Sequence, residues 1–222
     1  YRRIFKGLAK IPSFKLTLGI NGALTELLAR YGYGDVVDFI RKLARDGKLE
    51  FTESAVYHPF LPFLDEREIE RQIRKNHAVN RKYFGAAYAP KCFFPPEMAY
   101  AGKVARVASR LGYPVLMLDE ISYPKNGDGE AWAKHVFGIR GVRGTVAVFR
   151  ERRISNLVMS SVARDERTFY EALGQSLKED RCLLTAMDGE TFGHHRPGLE
   201  KFLFAVMTSR APEQIFVSEI PK

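Results

Sequence analysis

The chain has 222 residues, enough to bury a sizeable core in one large domain or two small ones. Hydrophobic residues make up 45% of the sequence and charged residues 27%, which is ordinary for a soluble globular protein. No apolar run approaches the roughly 20 residues that a membrane span needs, so we expect no membrane partner.

The formal net charge is +9, and a basic balance of this kind is compatible with binding to nucleic acid. The basic residues are nevertheless mixed with Asp and Glu, as in the stretch 65–75, and no dense basic run with interleaved aromatic residues occurs. We therefore expect a solvated basic surface and no nucleic-acid partner. Nothing in the sequence predicts the oligomeric state.

The two cysteines, Cys92 and Cys182, both lie in apolar runs, where small buried hydrophobic residues are usual. No CxxC pattern is present, so neither a zinc knuckle nor a redox pair of that type is predicted. We expect a cytoplasmic location and no cofactor. The first residue is Tyr1 rather than Met, so the absence of a signal peptide carries little weight.

Predicted strands and helices alternate through the first half of the chain. Asn21 can cap the first helix, and Gly47 and Gly85 suit the ends of two later helices. The predicted elements are strands at 14–20, 49–56, 92–94 and 115–119, and helices at 22–30, 35–47, 65–84 and 102–111.

The second half is less regular. A loop is predicted at 124–130, and two strands at 136–140 and 145–150 are predicted to form a hairpin about the stretch 141–144. Further along the chain we predict helices at 167–178 and 197–210, and strands at 181–187 and 215–220.

This alternation predicts an α/β fold with a mainly parallel sheet or barrel. We find no internal repeat and no convincing linker, which favours one domain. An open doubly wound sheet fits the pattern nearly as well as a barrel. No Gly-rich phosphate loop follows a strand, which argues against nucleotide binding.

One carboxylate, Glu97, stands in the otherwise apolar stretch 92–100, directly after Pro95 and Pro96. Neither proline can donate to a β-ladder, so the preceding strand must end there. Glu97 is therefore predicted to lie rigidly at the end of a buried strand, where α/β proteins place their chemistry. The alternative is an exposed Glu in a turn without a function.

A second cluster of functional groups follows the predicted strand 181–187. The stretch 188–196 contains two carboxylates, two imidazoles and a guanidinium, and its two glycines allow a sharp turn. Because parallel strands end on one face, this stretch can meet Glu97 there. Other residues expected on that rim are His58, Tyr100, Asp119 and Glu120.

Paired carboxylates on one rim suit the hydrolysis of a glycosidic bond. One carboxylate acts as nucleophile and the other as general acid and base, and in a retaining enzyme the two stand roughly 5–5.5 Å apart. A metal site is the competing interpretation, since carboxylates and imidazoles are also metal ligands. No HExxH or other strong metal spacing is present, so we expect no metal. The candidate metal ligands are Asp188, Glu190, His194, His195 and His58.

These motifs resemble those of glycoside hydrolase family 57, a group of retaining enzymes that act largely on α-glucans. The stretch 96–100 matches the family's PE-x-A-Y segment, and 188–194 matches its D-x-E-x-F-G-H segment. The stretch 47–50 is similar to a weaker G-x-x-E motif, and 57–59 and 149–155 also resemble family segments.

The resemblance implies an incomplete (β/α)7 barrel of the glycoside hydrolase/deacetylase type. It also implies Glu97 as nucleophile and Asp188 as general acid/base. Glu50, His58, Glu190 and His194 would line the sugar subsites, and we add Tyr100, Asp119 and His195 from the same rim.

The chain departs from the family pattern at both ends. The family's N-terminal His-Gln-Pro strand is absent, and so is the helical region that follows its barrel. We therefore expect residues 1–222 to form a single catalytic-barrel domain, truncated at the N-terminus and lacking the C-terminal helical region.

Three functions follow from these observations. The first is a retaining glycoside hydrolase or transglycosylase that acts on an α-glucan or related polysaccharide, its partner being that substrate. The second is a metal-dependent carbohydrate deacetylase, which also carries Asp and His on a barrel rim. The third is a non-catalytic glycan-binding barrel. Chelation of metal would abolish activity only in the second.

Overall fold

The computed structural model describes residues 1–123, 135–174, 182–209 and 212–221. The helices of this part of the chain are α1 (Arg2–Leu8), α2 (Gly22–Arg30), α3 (Gly34–Arg45), α4 (Glu66–Phe84), α5 (Gly102–Arg110), α6 (Arg152–Met159), α7 (Glu166–Leu173) and α8 (Glu200–Thr208). Its strands are β1 (Leu16–Gly19), β2 (Leu49–Glu53), β3 (Cys92–Phe93), β4 (Val115–Asp119), β5 (Phe137–Gly138) and β6 (Val146–Arg150).

The strands form one sheet in the order β1-β2-β3-β4-β6-β5. Four successive pairings are parallel, and β5 alone runs antiparallel to its neighbour β6, as the predicted hairpin requires. The predicted α/β fold with a mainly parallel sheet is therefore confirmed. Parallel pairing matters for function because it brings the carboxyl ends of five strands to one edge.

Local chemistry predicts where α4 begins and ends and where α2 begins. The side chain of Asp65 accepts a hydrogen bond from the backbone of Glu68 and caps α4, and Gly85 ends that helix with a left-handed φ of 61°. Ile69 and Ile73, one turn apart, are both buried against the sheet. Asn21 caps α2 in the same way.

The two faces of the sheet have different coverings. Alternate residues of the strands, such as Phe51, Phe93 and Leu116, pack under the helices in two apolar clusters. The opposite face carries Cys92, Val115, Met117 and Val148, which pack with Val217 from the C-terminal segment.

A buried polar network joins β2 to α4. The carboxylate of Glu53 is fully buried and accepts hydrogen bonds from Asn76 Nδ2 at 2.6 Å and from the hydroxyls of Tyr88 and Tyr113, each at 2.9 Å. His77 Nδ1 lies 2.9 Å from the same group. Burial, followed by the charge of Glu53, raises the pKa of Tyr113 and Tyr88 well above the ordinary value.

Two predicted strands are wrong. Within 182–187 the chain forms no strand, because its polar groups bond to the start of α6 rather than to a neighbouring strand. Within 215–220 a 3-10 turn, Val217–Glu219, replaces the strand, since Ser218 bonds to Glu50 and Glu219 pairs with Lys15. Helices α1 and α6 had no predicted counterpart.

The predicted loop 124–130 lies outside the described residues, as does the end of the predicted helix 167–178. No helix of the described ranges combines the length and apolar character that a membrane crossing requires.

Candidate active site

The candidate site lies at the carboxyl edge of the sheet, where the parallel strands end. The loop after β2 carries His58, the loop after β3 carries Glu97, and β4 ends at Asp119. Arg150 ends β6, and the segment that leads to Asp188 passes beside it. His58, Glu97 and Asp119 thus follow or end strands as predicted, whereas Asp188 follows a segment that forms no strand.

Glu97 occupies a strained backbone position. It follows β3 by four residues in a 3-10 turn, Pro96–Met98, and has a φ of 61°, while Met98 has a φ of 51°. Positive φ at a residue other than glycine costs about 1–3 kcal/mol and persists only where the surroundings enforce it. Here the enforcing residues are Pro95, Pro96 and Met98, all buried.

The same turn presents the carboxylate to solvent. The side chain of Glu97 is 72% exposed although its neighbours on both sides are buried. The turn therefore holds the carboxylate out of the core and fixes its direction. This arrangement suits a group that must reach a ligand. The strand before Glu97 is buried as predicted, but the carboxylate itself is exposed.

His58 meets Glu97 across the site. Its Nδ1 atom lies 3.9 Å from Oε1 of Glu97, and it too has a left-handed backbone, with a φ of 54°. The structure thereby brings together two predicted site residues from neighbouring strand ends. Tyr100, three residues after Glu97, is exposed as a rim residue should be.

Asp119 is held by arginines. Its Oδ2 atom accepts a hydrogen bond from Arg150 Nη2 at 2.5 Å, and its Oδ1 atom lies 3.7 Å from Arg152 Nη1. Oδ1 also accepts a bond from the backbone of Ile121. Asp119 and Arg150 are both buried, so they form a buried ion pair beneath the rim. The side chain of Glu120 accepts a hydrogen bond from the backbone N–H of Arg152 at the start of α6.

The segment that leads to Asp188 is held by three residues around the end of β6. Glu151 donates its backbone N–H to the carbonyl of Leu184 at 2.7 Å. Ser155 Oγ accepts the N–H of Ala186 at 3.2 Å, and Arg150 Nη1 donates to the carbonyl of Ala186, also at 3.2 Å. We call these three contacts the β6 clamp.

Arg150 and Ser155 were not predicted as site residues, although the stretch 149–155 that contains them resembles a family segment. A signal was present, because Arg150 ends an apolar strand in the way that Asp119 does. That pattern identified Asp119 as a rim residue and applies equally to Arg150.

Asp188 and Glu190 lie on an exposed loop beside the start of α1. Asp188 is exposed, and Glu190 is half-buried. Burial and a hydrogen bond to Glu190 raise the pKa of the Tyr1 phenol, and the charge of Asp188 acts in the same direction. The phenol of Tyr1 therefore stays protonated and sits beside Glu190.

His194 and His195 follow in a turn that Glu190 organises. Both backbone N–H groups donate to the carbonyl of Glu190, at 3.0 and 2.9 Å. Their rings are exposed, 5.0 Å apart and tilted by 57°. Among the described residues, no three His, Cys, Asp or Glu side chains are grouped so that they could hold a metal ion.

The side chain of Glu50 lies on the face of the sheet that carries Cys92 and packs with the C-terminal segment. Its Oε1 atom accepts from Thr17 Oγ1 and from the backbone of Ser218, both at 3.2 Å, and its Oε2 atom accepts from Ser218 Oγ. The thiol of Cys92 is 3.9 Å away. Both carboxylate oxygens thus bond to protein groups that anchor the C-terminal segment.

The family model for glycosyl hydrolase family 57 matches residues 1–216 of the chain. The chain belongs to this family. The predicted membership is confirmed. A search of curated protein sequences found no match.

Solved structures show which fold this family 57 chain has. The 4-α-glucanotransferase of Thermococcus litoralis superposes with a TM-score of 0.83 at 19% identity, and covers 100% of this chain and 36% of its own. An α-amylase from Thermotoga maritima superposes with a TM-score of 0.82 at 12% identity. The match covers 100% of this chain and 67% of the amylase. A GH57 branching enzyme from Thermococcus kodakaraensis superposes with a TM-score of 0.78 at 16% identity. The match covers 97% of this chain and 63% of the branching enzyme.

These similarities confirm the predicted fold, including its choice of the incomplete barrel over an open doubly wound sheet. This family 57 chain spans about a third of the glucanotransferase and about two thirds of the other two enzymes.

Proposed function

We propose that this chain is the catalytic barrel of a retaining α-glucan glycoside hydrolase or transglycosylase. Glu97 acts as the nucleophile and Asp188 as the general acid/base. The substrate is a polysaccharide or oligosaccharide, as the names of the similar enzymes suggest: glucanotransferase, amylase and branching enzyme.

The observation that carries the proposal is the strained presentation of Glu97. A glutamate without a function gains nothing from a left-handed backbone between buried residues, because an ordinary turn would expose it without strain. A nucleophile does gain, since fixed orientation lowers the entropic cost of reaching the reacting carbon.

The chemistry follows from two carboxyl groups in different roles. Glu97 attacks the anomeric carbon and forms a covalent glycosyl-enzyme, while Asp188 donates a proton to the departing oxygen. Asp188 then takes a proton from water, or from a sugar hydroxyl, which attacks the same carbon and releases Glu97. The β6 clamp fixes the segment before Asp188, and His58 stands beside Glu97.

Trapping the intermediate tests the nucleophile. A fluorinated α-glucosyl donor should label Glu97 and no other residue, as located by peptide mass spectrometry. Glu97→Gln should remain unlabelled and lose at least about 1,000-fold in kcat. Labelling at another residue, together with an active Glu97→Gln variant, would overturn the assignment.

Two further measurements separate the other functions from this one. Azide should restore turnover of an activated aryl α-glucoside to an Asp188→Ala variant, because such a substrate needs no proton donor. Activity lost on chelation and regained with zinc would point instead to a metal-dependent deacetylase. Glucan binding that is unchanged in Glu97→Gln, with no turnover by the wild type, would point to a glycan-binding barrel.

A further inference from the structure

Two exposed tyrosines flank the glycine that joins α2 to α3. Tyr31 follows the last residue of α2 and is 63% exposed, and Tyr33 precedes the first residue of α3 and is 46% exposed. Gly32, between them, has a φ of 81°, which lets the chain pass directly from one helix to the next. This turn lies between two helices and not at a strand end, so it is separate from the loops that carry the candidate active site.

Arg2 holds the ring of Tyr33 in place. The guanidinium carbon of Arg2 lies 5.0 Å from the centre of that ring. The same guanidinium donates to both carboxylate oxygens of Asp35, at 2.5 and 2.8 Å, and to the carbonyl of Gly32 at 3.1 Å. A bidentate pair between arginine and carboxylate is geometrically specific, so the cation that stacks on Tyr33 is itself fixed. The Tyr33 ring is therefore ordered before any ligand binds.

Both tyrosines keep an open ring face and a hydroxyl that can bind a ligand. The guanidinium carbon of Arg30 lies 5.7 Å from the centre of the Tyr31 ring, and a cation in this position covers one face only. Neither phenol hydrogen-bonds to another group in the described part of the chain. Leu27, one turn before Tyr31 on α2, is also exposed and extends the apolar surface.

The charges around the turn favour a neutral ligand. Arg2 is paired with Asp35, and Arg41 is paired with Asp38 in the next turn of α3. An anionic polymer needs unpaired cations along its path, and these two arginines are already neutralised. A glucan chain carries no charge, and it offers C–H faces to aromatic rings and hydroxyls to the phenols.

We propose that the turn between α2 and α3 is a surface site that binds a glucan chain away from the position of bond cleavage. Neighbouring sugar rings pack on Tyr31 and Tyr33, and sugar hydroxyls bond to the two phenols and to the Arg30 guanidinium. The choice of ligand rests on the proposed function, which supplies the polysaccharide. Such a site holds the protein on a long chain and adds nothing for a substrate too short to occupy both places.

Electrophoresis in gels that contain soluble starch tests this site. In a Glu97→Gln background, where no starch is consumed, the double variant Tyr31→Ala/Tyr33→Ala should bind starch about 10-fold more weakly than its parent. Tyr31→Phe/Tyr33→Phe keeps both rings and should lose less than about 3-fold. In the background with Glu97 intact, kcat and KM for maltotriose should change less than about 2-fold in the alanine double variant.

Phe63→Ala is the control for the loss of an exposed aromatic ring elsewhere on the surface. Phe63 is 86% exposed in the loop that follows β2, and it should leave starch binding unchanged. Melting curves establish that each variant is folded, and the exposure of all three aromatic side chains favours this. Sedimentation of parent and double variant without starch shows whether the turn instead joins two copies of the chain.

The outcomes separate an error in the site from an error in the function. If wild type converts maltotriose but the alanine double variant binds starch as its parent does, the surface site is wrong and the proposed function stands. An equal loss of binding in Phe63→Ala, or a parent dimer that the double variant dissociates, would also overturn the site. If wild type neither binds nor converts any α-glucan, the proposed function fails and the surface site fails with it.

Discussion

His58 Nδ1 lies 3.9 Å from Glu97 Oε1, and both residues have a left-handed backbone. They come from loops that follow the neighbouring strands β2 and β3. Of the four non-glycine residues with positive φ in the described chain, three are His58, Glu97 and Met98. Backbone strain is therefore concentrated where the two loops meet, as is usual for functional sites.

The strain at Glu97 predicts an inverted order of stability between two variants. At an ordinary exposed position, alanine is more stable than glycine because glycine loses more backbone entropy on folding. At Glu97 the φ of 61° reverses this order, since glycine adopts it without a steric penalty. We expect Glu97→Gly to exceed Glu97→Ala by about 1 kcal/mol in the free energy of unfolding measured in urea.

Lys103 offers a matched control because it lies in the first turn of α5 and faces solvent in part. There the usual order should hold, with Lys103→Ala more stable than Lys103→Gly by about 0.5–1 kcal/mol. If alanine were also the more stable residue at position 97, the turn would not be strained. The argument for function from backbone strain would then fail.

The regular elements could be predicted because their signals are local. Helix α4 has a capping Asp65, a closing Gly85 and buried isoleucines one turn apart, and all three signals lie within the helix or next to it. The segments 182–187 and 215–220 have apolar runs as strong as those of real strands. They differ only in their bonding partners, which are distant in sequence, so no local pattern distinguishes them.

The candidate site was predictable in composition but not in arrangement. Glu97 and Asp188 could be identified because each follows an apolar run and stands among glycines or prolines. The left-handed backbone of His58 and the partners of Glu50 could not be predicted. The backbone of His58 and the partners of Glu50 depend on how loops and the C-terminal segment pack. The alternation of residues in β2 shows only that Glu50 and Glu53 point to opposite faces.

The β6 clamp predicts that Ser155 supports the reaction from a distance. Ser155 is fully buried, and its hydroxyl both donates to the carbonyl of Glu151 and accepts the N–H of Ala186. In Ser155→Ala that N–H loses its partner, so we expect a loss of about 1–2 kcal/mol in stability. Because Asp188 would be less well positioned, kcat should fall about 10-fold while KM changes little.

Ser160→Ala is the control for this experiment. Ser160 follows the last residue of α6 and donates only to the nearby carbonyl of Leu157. It should leave kcat unchanged. With an activated substrate, azide should also restore the turnover that Ser155→Ala loses, provided that the variant is impaired in proton transfer. A loss of kcat that azide does not affect would show that the clamp acts on another step.

The two cysteines should differ in reactivity. Burial together with nearby Glu50 raises the pKa of the Cys92 thiol, and burial raises the pKa of the Cys182 thiol as well. The two differ in access, because Cys92 is fully buried and Cys182 is exposed. Since the thiolate is the reactive form, a disulfide reagent should titrate one thiol in the folded chain and two in denaturant. Cys182→Ser should reduce the folded count to zero. Rapid reaction of the folded Cys182→Ser variant would show that the face of the sheet that carries Cys92 opens to solvent.

The network around Glu53 predicts a loss of stability at alkaline pH. Tyr113 donates to the buried carboxylate, and its pKa is raised above that of the unfolded chain, primarily by burial. Below about pH 10 both states keep the phenolic proton, and the contribution is fully present. Above it only the unfolded chain loses the proton, so stability should fall by about 1.4 kcal/mol per pH unit for this residue until the folded phenol also titrates.

Tyr113→Phe isolates this contribution. At neutral pH the variant should be less stable by about 1–3 kcal/mol, because Glu53 loses a hydrogen bond while it stays buried. Between about pH 10 and 11, however, its stability should decline less than that of wild type by about 1 kcal/mol, because the unfolded phenol titrates near pH 10. Tyr31→Phe, at an exposed position, should leave the slope unchanged. Equal slopes in wild type and Tyr113→Phe, from urea unfolding at each pH, would mean that the Tyr113 phenol ionises as readily in the folded chain as in the unfolded one.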